Sequence, residues 1–244
     1  MANVKRVLGR WIAGSVGVVL AAALGAGAAL AVEKSMTVSI DGLKNKGRIA
    51  GNLAFCIPAE KGHVQLGPNK SPAIKWAGAP KETKSFAIVA LDTKVPSVAY
   101  NVNKEGVTIP ATLARARFFH WVLVDIPATT TGLALGADSN GVTAKGKASG
   151  PTPNGTRGIN DYTQWFASDK DMSGKYGGYD GPCPPWNDQL VHQYHFNVYA
   201  LDVPSLGLSG AFTGPQALAQ IRKHTLARAS IVGTYTLNAS LKGK

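Results

Sequence analysis

The sequence predicts a single, mainly β domain, and two observations support this. The chain has 244 residues, 45% of them hydrophobic and 16% charged, which suits one domain with a full core. Segments rich in β-branched and aromatic residues also recur along it, bounded by Gly, Pro or Asp. The predicted strands are residues 36–43, 85–91, 118–126, 194–202 and 229–237.

One amphipathic helix is predicted over residues 215–227. Leu218, Ile221 and Leu226 can line one face of it, and Pro215 suits its first turn. The helix follows a glycine-bounded entry loop.

Two long stretches have loop composition, residues 95–117 and 132–179. Loops of this length are uncommon in a compact domain unless they are functional or pack onto the fold. We expect the second loop to fold back onto the domain, because it contains several aromatic side chains. These are Tyr162, Trp165, Phe166, Tyr176 and Tyr179.

The N-terminus has the pattern of a signal peptide. Three basic residues precede an uncharged run, residues 11–31, which ends in an Ala-Leu-Ala triplet. We interpret residues 1–31 as a cleaved leader and residues 32–244 as a periplasmic or secreted domain. The alternative is an anchor left in the inner membrane by residues 11–31, since about 20 apolar residues can span a bilayer. The run is rich in Ala and Gly and poor in Leu, which favours cleavage.

Export changes how the two cysteines are interpreted. An oxidising compartment permits a disulfide, and Cys56 and Cys183 are the only cysteines of the chain. Neither belongs to a C-x-x-C pair, so zinc-finger and redox-motif interpretations fail. A structural bridge is favoured, and two buried thiols are the alternative.

The chain is basic without a nucleic-acid-binding motif. The leader contains three of the 26 basic residues, so the mature chain has 23 basic and 14 acidic residues, a net charge of +9. The basic residues are scattered, so a solvated surface is the first interpretation and attraction to anionic membranes the second. No nucleic-acid partner is expected.

Two candidate functional residues lie at strand ends and are ordinary when taken singly. Asp92 follows an apolar strand and can simply cap a turn, and His120 lies near the start of another and can be a core histidine. Their combination with a Gly-Pro-rich segment further along the chain is more informative.

Four blocks in order resemble the phosphatidylethanolamine-binding, or Raf kinase inhibitor-like, protein family in its bacterial branch. SPAIKWAGAPKETKSFAIVALDTKVPS is similar to the family block that leads through a strand into a D-P-D-A-P loop. FFHWVLVDIP is similar to its W-H-W-V strand, YGGYDGPCPPWND to its glycine-proline loop, and HQYHFNVYALD to its H-R-Y-x-F-x-V-Y-A-L-D strand. The resemblance covers nearly all of the mature chain.

The resemblance implies a Greek-key β-sandwich with a few short helices and a C-terminal helix. It also implies a small pocket for phosphate-like or acetate-like anions, in which imidazoles, a phenol and loop N–H groups donate hydrogen bonds and Asp92 orients a histidine or bonds a protonated ligand oxygen. Neither a cofactor nor a metal ion is expected. The implied ligand-binding residues are Asp92, Pro96, Phe118, His120, Gly181, Cys183, His192 and Tyr194. A Cys56–Cys183 bridge would fix the glycine-proline loop beside this pocket.

Three departures from the family pattern affect what carries over. The D-P-D-A-P loop becomes Asp92-Thr-Lys-Val-Pro96, which loses an acid and adds Lys94 as an extra charge at the rim. Phe118 replaces the usual Trp before the histidine. Residues 97–117 and 154–176 are longer than in minimal members, so we expect them to reshape or cover the pocket mouth.

Two classes of function remain after this comparison. The first is a binding or regulatory protein that recognises a small anion, a phospholipid head group or a protein partner. The second is a hydrolase, with Asp92 and His120 as an acid/base pair or Cys183 as an activated nucleophile. No G-x-S-x-G or H-E-x-x-H motif supports the hydrolase, so binding is favoured. A third interpretation is nonspecific attraction of the basic surface to acidic lipids.

Overall fold

The computed structural model describes residues 35–241, which fold mainly as β-structure. This part of the chain forms twelve strands, two α-helices and two 3₁₀ turns. The strands are β1 (Thr37–Ile40), β2 (Gly47–Arg48), β3 (Cys56–Pro58), β4 (Val64–Leu66), β5 (Ile74–Ala77), β6 (Ser85–Pro96), β7 (Arg115–Pro127), β8 (Gly132–Leu133), β9 (Gly150–Thr152), β10 (Gly155–Arg157), β11 (His192–Leu201) and β12 (Thr225–Tyr235). The helices are α1 (Tyr162–Trp165) and α2 (Gly214–His224), and the 3₁₀ turns are Gly51–Leu53 and Ala239–Leu241.

Two sheets of unequal size form a β-sandwich. The larger has the strand order β2-β12-β11-β6-β7-β10-β9, and the smaller has the order β1-β5-β8. Within the larger sheet β11 returns beside β6 after β7 and β10, so the order β11-β6-β7-β10 is that of a Greek key. Strands β3 and β4 form a separate ribbon. The predicted fold class, a mainly β Greek-key sandwich, is confirmed.

The main hydrophobic core lies between the two sheets. Ile74 and Trp76 of β5 pack in one cluster with Ile88 of β6, Trp121 of β7 and Phe196 of β11. All five are at most 4% exposed. Burial of such a side chain contributes roughly 1.5–3 kcal/mol relative to its exposure to water. This core fixes the strands whose ends build the site described below.

Helix α2 covers the opposite face of the larger sheet. Thr213 and Gln216 form a capping box at its start, with Pro215 in the first turn. Leu218 and Ile221 pack in a second apolar cluster that includes residues from the outer face of β6. Strand β6 is therefore buried on both faces, which explains its continuous apolar run.

The predicted end of this helix was wrong by three residues. The helix ends at His224, and Thr225 begins β12 by pairing with Leu201 of β11. Leu226 consequently lies on a strand, 39% exposed, and not on the apolar face of the helix. The β-branched Thr225 and the gain of a strand partner favour extended backbone at this point.

The five predicted strands all overlap observed ones, and the two predicted loops are shorter than expected. Strand β6 continues to Pro96 and β7 begins at Arg115, so both take residues from the first loop. The second loop contains β8, β9, β10 and α1. Of its aromatic residues, Tyr162, Tyr176 and Tyr179 are buried, as predicted, while Trp165 is 46% exposed.

The predicted leader, residues 1–31, lies outside the described residues. Within residues 35–241, neither α-helix has the length and apolar character needed to cross a bilayer.

Candidate functional site

A cavity of about 340 Å³ opens at the end of the larger sheet, where β6 ends and β7 and β11 begin. Strand register sets its floor, because Asp92 pairs with Phe118 on one side and with Tyr194 on the other. His120 follows two residues after Phe118. Asp92, His120 and Tyr194 are all at most 4% exposed. The floor therefore combines three polar groups that are shielded from bulk water.

The structure brings seven of the eight predicted site residues to the cavity wall. These are Asp92, Pro96, Phe118, His120, Cys183, His192 and Tyr194. Gly181 lies behind the wall, where its N–H donates to Asn69 Oδ1 and its carbonyl accepts from the Tyr162 hydroxyl, both at 2.8 Å. A Cβ at this position would lie 2.0 Å from the carbonyl oxygen of Leu53, so only glycine fits.

Lys94 was expected at the rim, and this prediction was wrong. Its N–H donates to Asp92 Oδ1 at 2.7 Å and its carbonyl accepts from Arg115 Nη1 at 2.9 Å, but Lys94 does not line the cavity. Burial first, and then the charge of Arg228, lower the pKa of His195, which lies on the outer face of β11, and Lys94 adds to this effect while Asp92 opposes it.

His192 has no ring nitrogen left for a ligand. Nδ1 lies 2.6 Å from Asp92 Oδ2, and Nε2 lies 3.2 Å from Asp188 Oδ2. Burial alone would lower the pKa of His192, but the two carboxylates outweigh it and raise that pKa to about 9. His192 is therefore an imidazolium that donates both hydrogens to carboxylates. The expectation that it donates to a bound anion is not supported by this geometry.

The ion-pair chain continues beyond His192 to Arg115. Asp188 is buried and accepts hydrogen bonds from both Arg115 terminal nitrogens, with Nη2 at 3.1 Å from Oδ1. Burial would raise the pKa of Asp188, but the hydrogen bonds from His192 and Arg115 lower it. Sequence reasoning missed both residues. Asp188 ends the quoted glycine-proline block, whereas Arg115 lies in a stretch that resembled a loop.

His120 differs from His192 in its partner and its charge. Its Nδ1 lies 2.8 Å from the backbone oxygen of Asp180. A carbonyl oxygen only accepts, so Nδ1 carries the hydrogen. Burial lowers the pKa of His120, and the charges of Asp92 and Asp180 only partly offset this. His120 is thus neutral, with an Nε2 lone pair that makes no hydrogen bond among the described residues.

A buried carboxylate holds that backbone oxygen in place. Asp180 Oδ1 accepts from Lys147 Nζ and Asn69 Nδ2, each at 2.7 Å, and Oδ2 accepts from Asn160 Nδ2 at 2.9 Å. The Asp180 N–H also donates to the His120 carbonyl at 2.9 Å. Four well-separated segments therefore fix the hydrogen position on His120.

The Tyr194 hydroxyl is buried and makes no short hydrogen bond among residues 35–241. Burial first, and then the negative charge of Asp92 and the closeness of its carboxylate to the hydroxyl, raise the pKa of Tyr194 well above its ordinary value. The phenol stays protonated and lies beside the Asp92 carboxylate at the cavity floor.

Cys56 and Cys183 form a disulfide in the cavity wall. It joins β3 to the glycine-proline segment, where the Cys56 N–H also donates to the Pro182 carbonyl at 3.1 Å. The favoured interpretation of the cysteines is confirmed. The hypothesis that Cys183 acts as a nucleophile requires a free thiol, and the disulfide removes it.

The glycine-proline segment supplies fewer N–H donors than expected. Within residues 181–185 only Gly181 and Cys183 have a backbone N–H, because the other three are prolines. The Gly181 N–H is already bonded to Asn69. Of the loop N–H groups that were expected to donate to an anion, only that of Cys183 remains within residues 181–185.

Apolar side chains form most of the remaining wall, and both long loops contribute to it as predicted. The first loop supplies Ala99 and Val102, and Asn187 holds it in place by donating to the carbonyls of Asn101 at 2.8 Å and Val107 at 2.9 Å. The apolar residues from other segments include Phe55, Val64, Leu66, Trp165, Phe166 and Met172. The cavity thus has a small polar floor below an apolar wall.

Comparison with known sequences gives one family. The family model described as phosphatidylethanolamine-binding protein matches residues 41–236. A protein from Methanothermobacter thermautotrophicus named UPF0098 protein is 30% identical over 169 residues, which cover 69% of this chain and 84% of that protein. The Escherichia coli protein YbcL is 28% identical over 173 residues, which cover 70% of this chain and 74% of that protein.

Solved structures agree on the fold. The crystal structure of Escherichia coli YbcL, described as a new member of the mammalian PEBP family, superposes with a TM-score of 0.59 at 24% identity. The superposition covers 83% of this chain and 99% of YbcL. The homologue CT736 of Chlamydia trachomatis gives a TM-score of 0.54 at 23% identity, covering 82% and 97% of the two chains.

Proposed function

Since the chain belongs to the phosphatidylethanolamine-binding protein family, we propose that it is an exported binding protein that holds a phosphate-like group, free or as a phospholipid head group, in the cavity at Asp92, His120 and Tyr194. The position of Asp92, His120 and Tyr194 together on the floor of one cavity supports this most strongly. A concave and mostly apolar site with a few convergent polar groups is the usual form of a small-molecule binding site.

Two observations favour binding over hydrolysis. Asp92 accepts hydrogen bonds from His192 and from the Lys94 N–H, while His120 bonds the backbone of Asp180. Asp92 and His120 therefore do not form the hydrogen-bonded acid/base pair that the hydrolase alternative requires. Cys183, the other nucleophile considered, is oxidised.

Calorimetric titration of the full chain with phosphoethanolamine tests this function. We expect saturable one-site binding by the wild type and a loss of about tenfold or more in His120→Asn. Asparagine can still donate towards the Asp180 carbonyl but lacks the second ring nitrogen, so the fold should persist. His195→Asn is the matched control. His195 follows Tyr194 in β11, but it lies on the outer face of the sheet and does not line the cavity. Unchanged affinity in His120→Asn would overturn the proposal.

The same titration separates pocket binding from general attraction to the basic surface. Binding through scattered surface charges would weaken strongly with added salt and would survive His120→Asn. Binding in the cavity should depend on His120 and much less on ionic strength, because the floor is shielded from solvent.

Export through a cleaved leader is part of the proposal. The Cys56–Cys183 disulfide is consistent with an oxidising compartment. Intact mass measurement of the protein recovered from the cell envelope should give a chain that begins at Val32. A mass that includes residues 1–31 in the membrane fraction would instead support the anchor.

A further inference from the structure

The upper part of the cavity is larger and less polar than a small anion requires. The cavity measures about 340 Å³, within the range of roughly 300–1,000 Å³ that is typical of sites for drug-sized ligands. A small anion at Asp92, His120 and Tyr194 would occupy only the floor. The wall above it would stay in contact with water, which is unfavourable for apolar side chains.

The lining above the floor offers almost no hydrogen bonds to a ligand. Asp92 and His192 are the charged side chains among the described residues of the lining, and His192 donates to Asp92. The Tyr162 hydroxyl donates to a backbone carbonyl at 2.8 Å, and Asn103 Oδ1 accepts from a backbone N–H at 3.1 Å. A sugar or a peptide would lose hydrogen bonds to water here without replacing them. The wall therefore favours a hydrocarbon group.

Aromatic stacking holds this wall in a fixed position. Phe55 stacks on Tyr162 with ring centroids 4.5 Å apart, and Tyr162 stacks on Phe166 at 5.6 Å. Phe166 also contacts the ring of Tyr176, whose hydroxyl donates to the Met172 carbonyl at 2.7 Å. Phe55, Phe166 and Met172 line the cavity. The apolar surface is thus formed before a ligand enters, which lowers the cost of binding.

Exposed apolar side chains continue this surface through the mouth of the cavity. Six large hydrophobic side chains are exposed in the described part of the chain, and four of them lie in the lining or beside it. Leu66 and Trp165 line the cavity and are 58% and 46% exposed. Val98 and Tyr100 flank Ala99, which also lines it. Such clusters of exposed apolar residues mark binding sites, whereas single ones are ordinary.

We propose that the cavity binds an unbranched alkyl chain, which lies along Phe55, Phe166 and Met172 and passes Leu66 and Trp165 at the mouth. A chain fits better than a compact ring, because the apolar surface extends from the wall to the outside. The flexible thioether of Met172 also adapts to a chain. The inference rests on the proposed function for the group at the floor and names the rest of the ligand, an amphiphile with a single chain.

Calorimetric titration with monoalkyl phosphates of two, four, six and eight carbons tests the chain. The neutral 1-octanol is included as a chain without an anionic group, and all compounds are kept below the concentrations at which they form micelles. We expect each added methylene to tighten the binding of the esters about twofold to fourfold until the cavity is filled, because burial of a methylene is favourable. We expect 1-octanol to bind as well.

Ethyl phosphate and 1-octanol separate this inference from the proposed function. If the esters bound with the same affinity at every chain length and 1-octanol did not bind, the inference would be overturned and the proposed function would stand. If 1-octanol bound and ethyl phosphate did not, the alkyl site would stand and the proposed function would fail. Binding of none of these compounds would overturn both.

A double variant tests where the chain lies. Leu66→Asn with Val102→Asn makes the wall polar without adding a charge, and both positions lie outside the main core. Octyl phosphate should bind this variant at least about tenfold more weakly, and ethyl phosphate should bind it as well as the wild type. Leu135→Asn is the matched control, because Leu135 is 49% exposed and does not line the cavity. Equal affinity of octyl phosphate for the double variant and the wild type would overturn the proposal.

Discussion

The two histidines at the cavity have the same titratable group and opposite surroundings. His192 lies between the carboxylates of Asp92 and Asp188, and its pKa is raised to about 9. His120 bonds a backbone carbonyl through one nitrogen, and burial lowers its pKa. His192 is a charged ring whose two nitrogens both bond carboxylates, and His120 is a neutral ring with one nitrogen at the cavity.

The difference shows that a histidine in a pocket need not contact the ligand. Both lie on central strands and line the same cavity, and the resemblance to the family gave them the same role. Their hydrogen-bond partners, however, give the two histidines different roles. A histidine flanked by two acids stabilises the fold, whereas one held by a carbonyl keeps its second nitrogen free for recognition.

The same substitution at the two positions should give the largest contrast in stability. His192→Asn removes the cation between two buried carboxylates, so we expect the free energy of unfolding to fall by about 3–5 kcal/mol. His120→Asn keeps a donor for the Asp180 carbonyl and should cost about 1 kcal/mol. Urea denaturation of both variants measures the difference, and equal losses would contradict the assigned roles.

The pH dependence of stability should differ in sign between the two histidines. A pKa raised from about 6.5 to about 9 makes His192 favour folding fully below pH 6.5 and lose that effect by about pH 9, a change of about 3 kcal/mol. The lowered pKa of His120 makes it favour folding above about pH 6.5 and lose that contribution as the pH falls.

Unfolding free energies of the wild type and of His192→Asn, compared across this range, isolate the first effect. The wild type should lose stability between about pH 6.5 and about pH 9, and the variant should lose much less. A parallel decline in the two proteins would show that His192 is not the group that titrates.

A smaller effect distinguishes the two buried tyrosines nearby. Tyr194→Phe removes a hydroxyl that makes no short hydrogen bond among residues 35–241, so thermal unfolding should show unchanged or slightly increased stability, by up to about 1 kcal/mol. Tyr179→Phe removes a hydroxyl that donates to the Leu53 carbonyl at 2.7 Å and should cost about 1–2 kcal/mol. If Tyr194→Phe were the more damaging of the two, its hydroxyl would have a partner within the fold.

The sequence pattern predicted the long strands of the larger sheet but not the strands of two or three residues. Strands β6, β7, β11 and β12 have apolar or alternating runs long enough to be read directly. Strands of two or three residues, such as β2 and β8 to β10, show no periodicity of their own and exist because distant partners pair with them.

For the site, too, the sequence indicated which residues line the cavity but not which groups they bond. Resemblance to the family identified seven residues that line the cavity. It did not give the partner of each polar group, because Lys147, Asn69 and Asn160 reach Asp180 from separate loops and no motif relates them. Asp92 accepts a hydrogen bond from His192 and not from His120. This choice likewise depends on side-chain positions that only the folded chain defines.

Nitrogen-15 NMR of histidine-labelled protein tests the central contrast most directly. Near neutral pH, His192 should show two protonated ring nitrogens, and His120 should show a protonated Nδ1 beside an unprotonated Nε2. A His120 ring that is doubly protonated, or that has its single hydrogen on Nε2, would contradict the account.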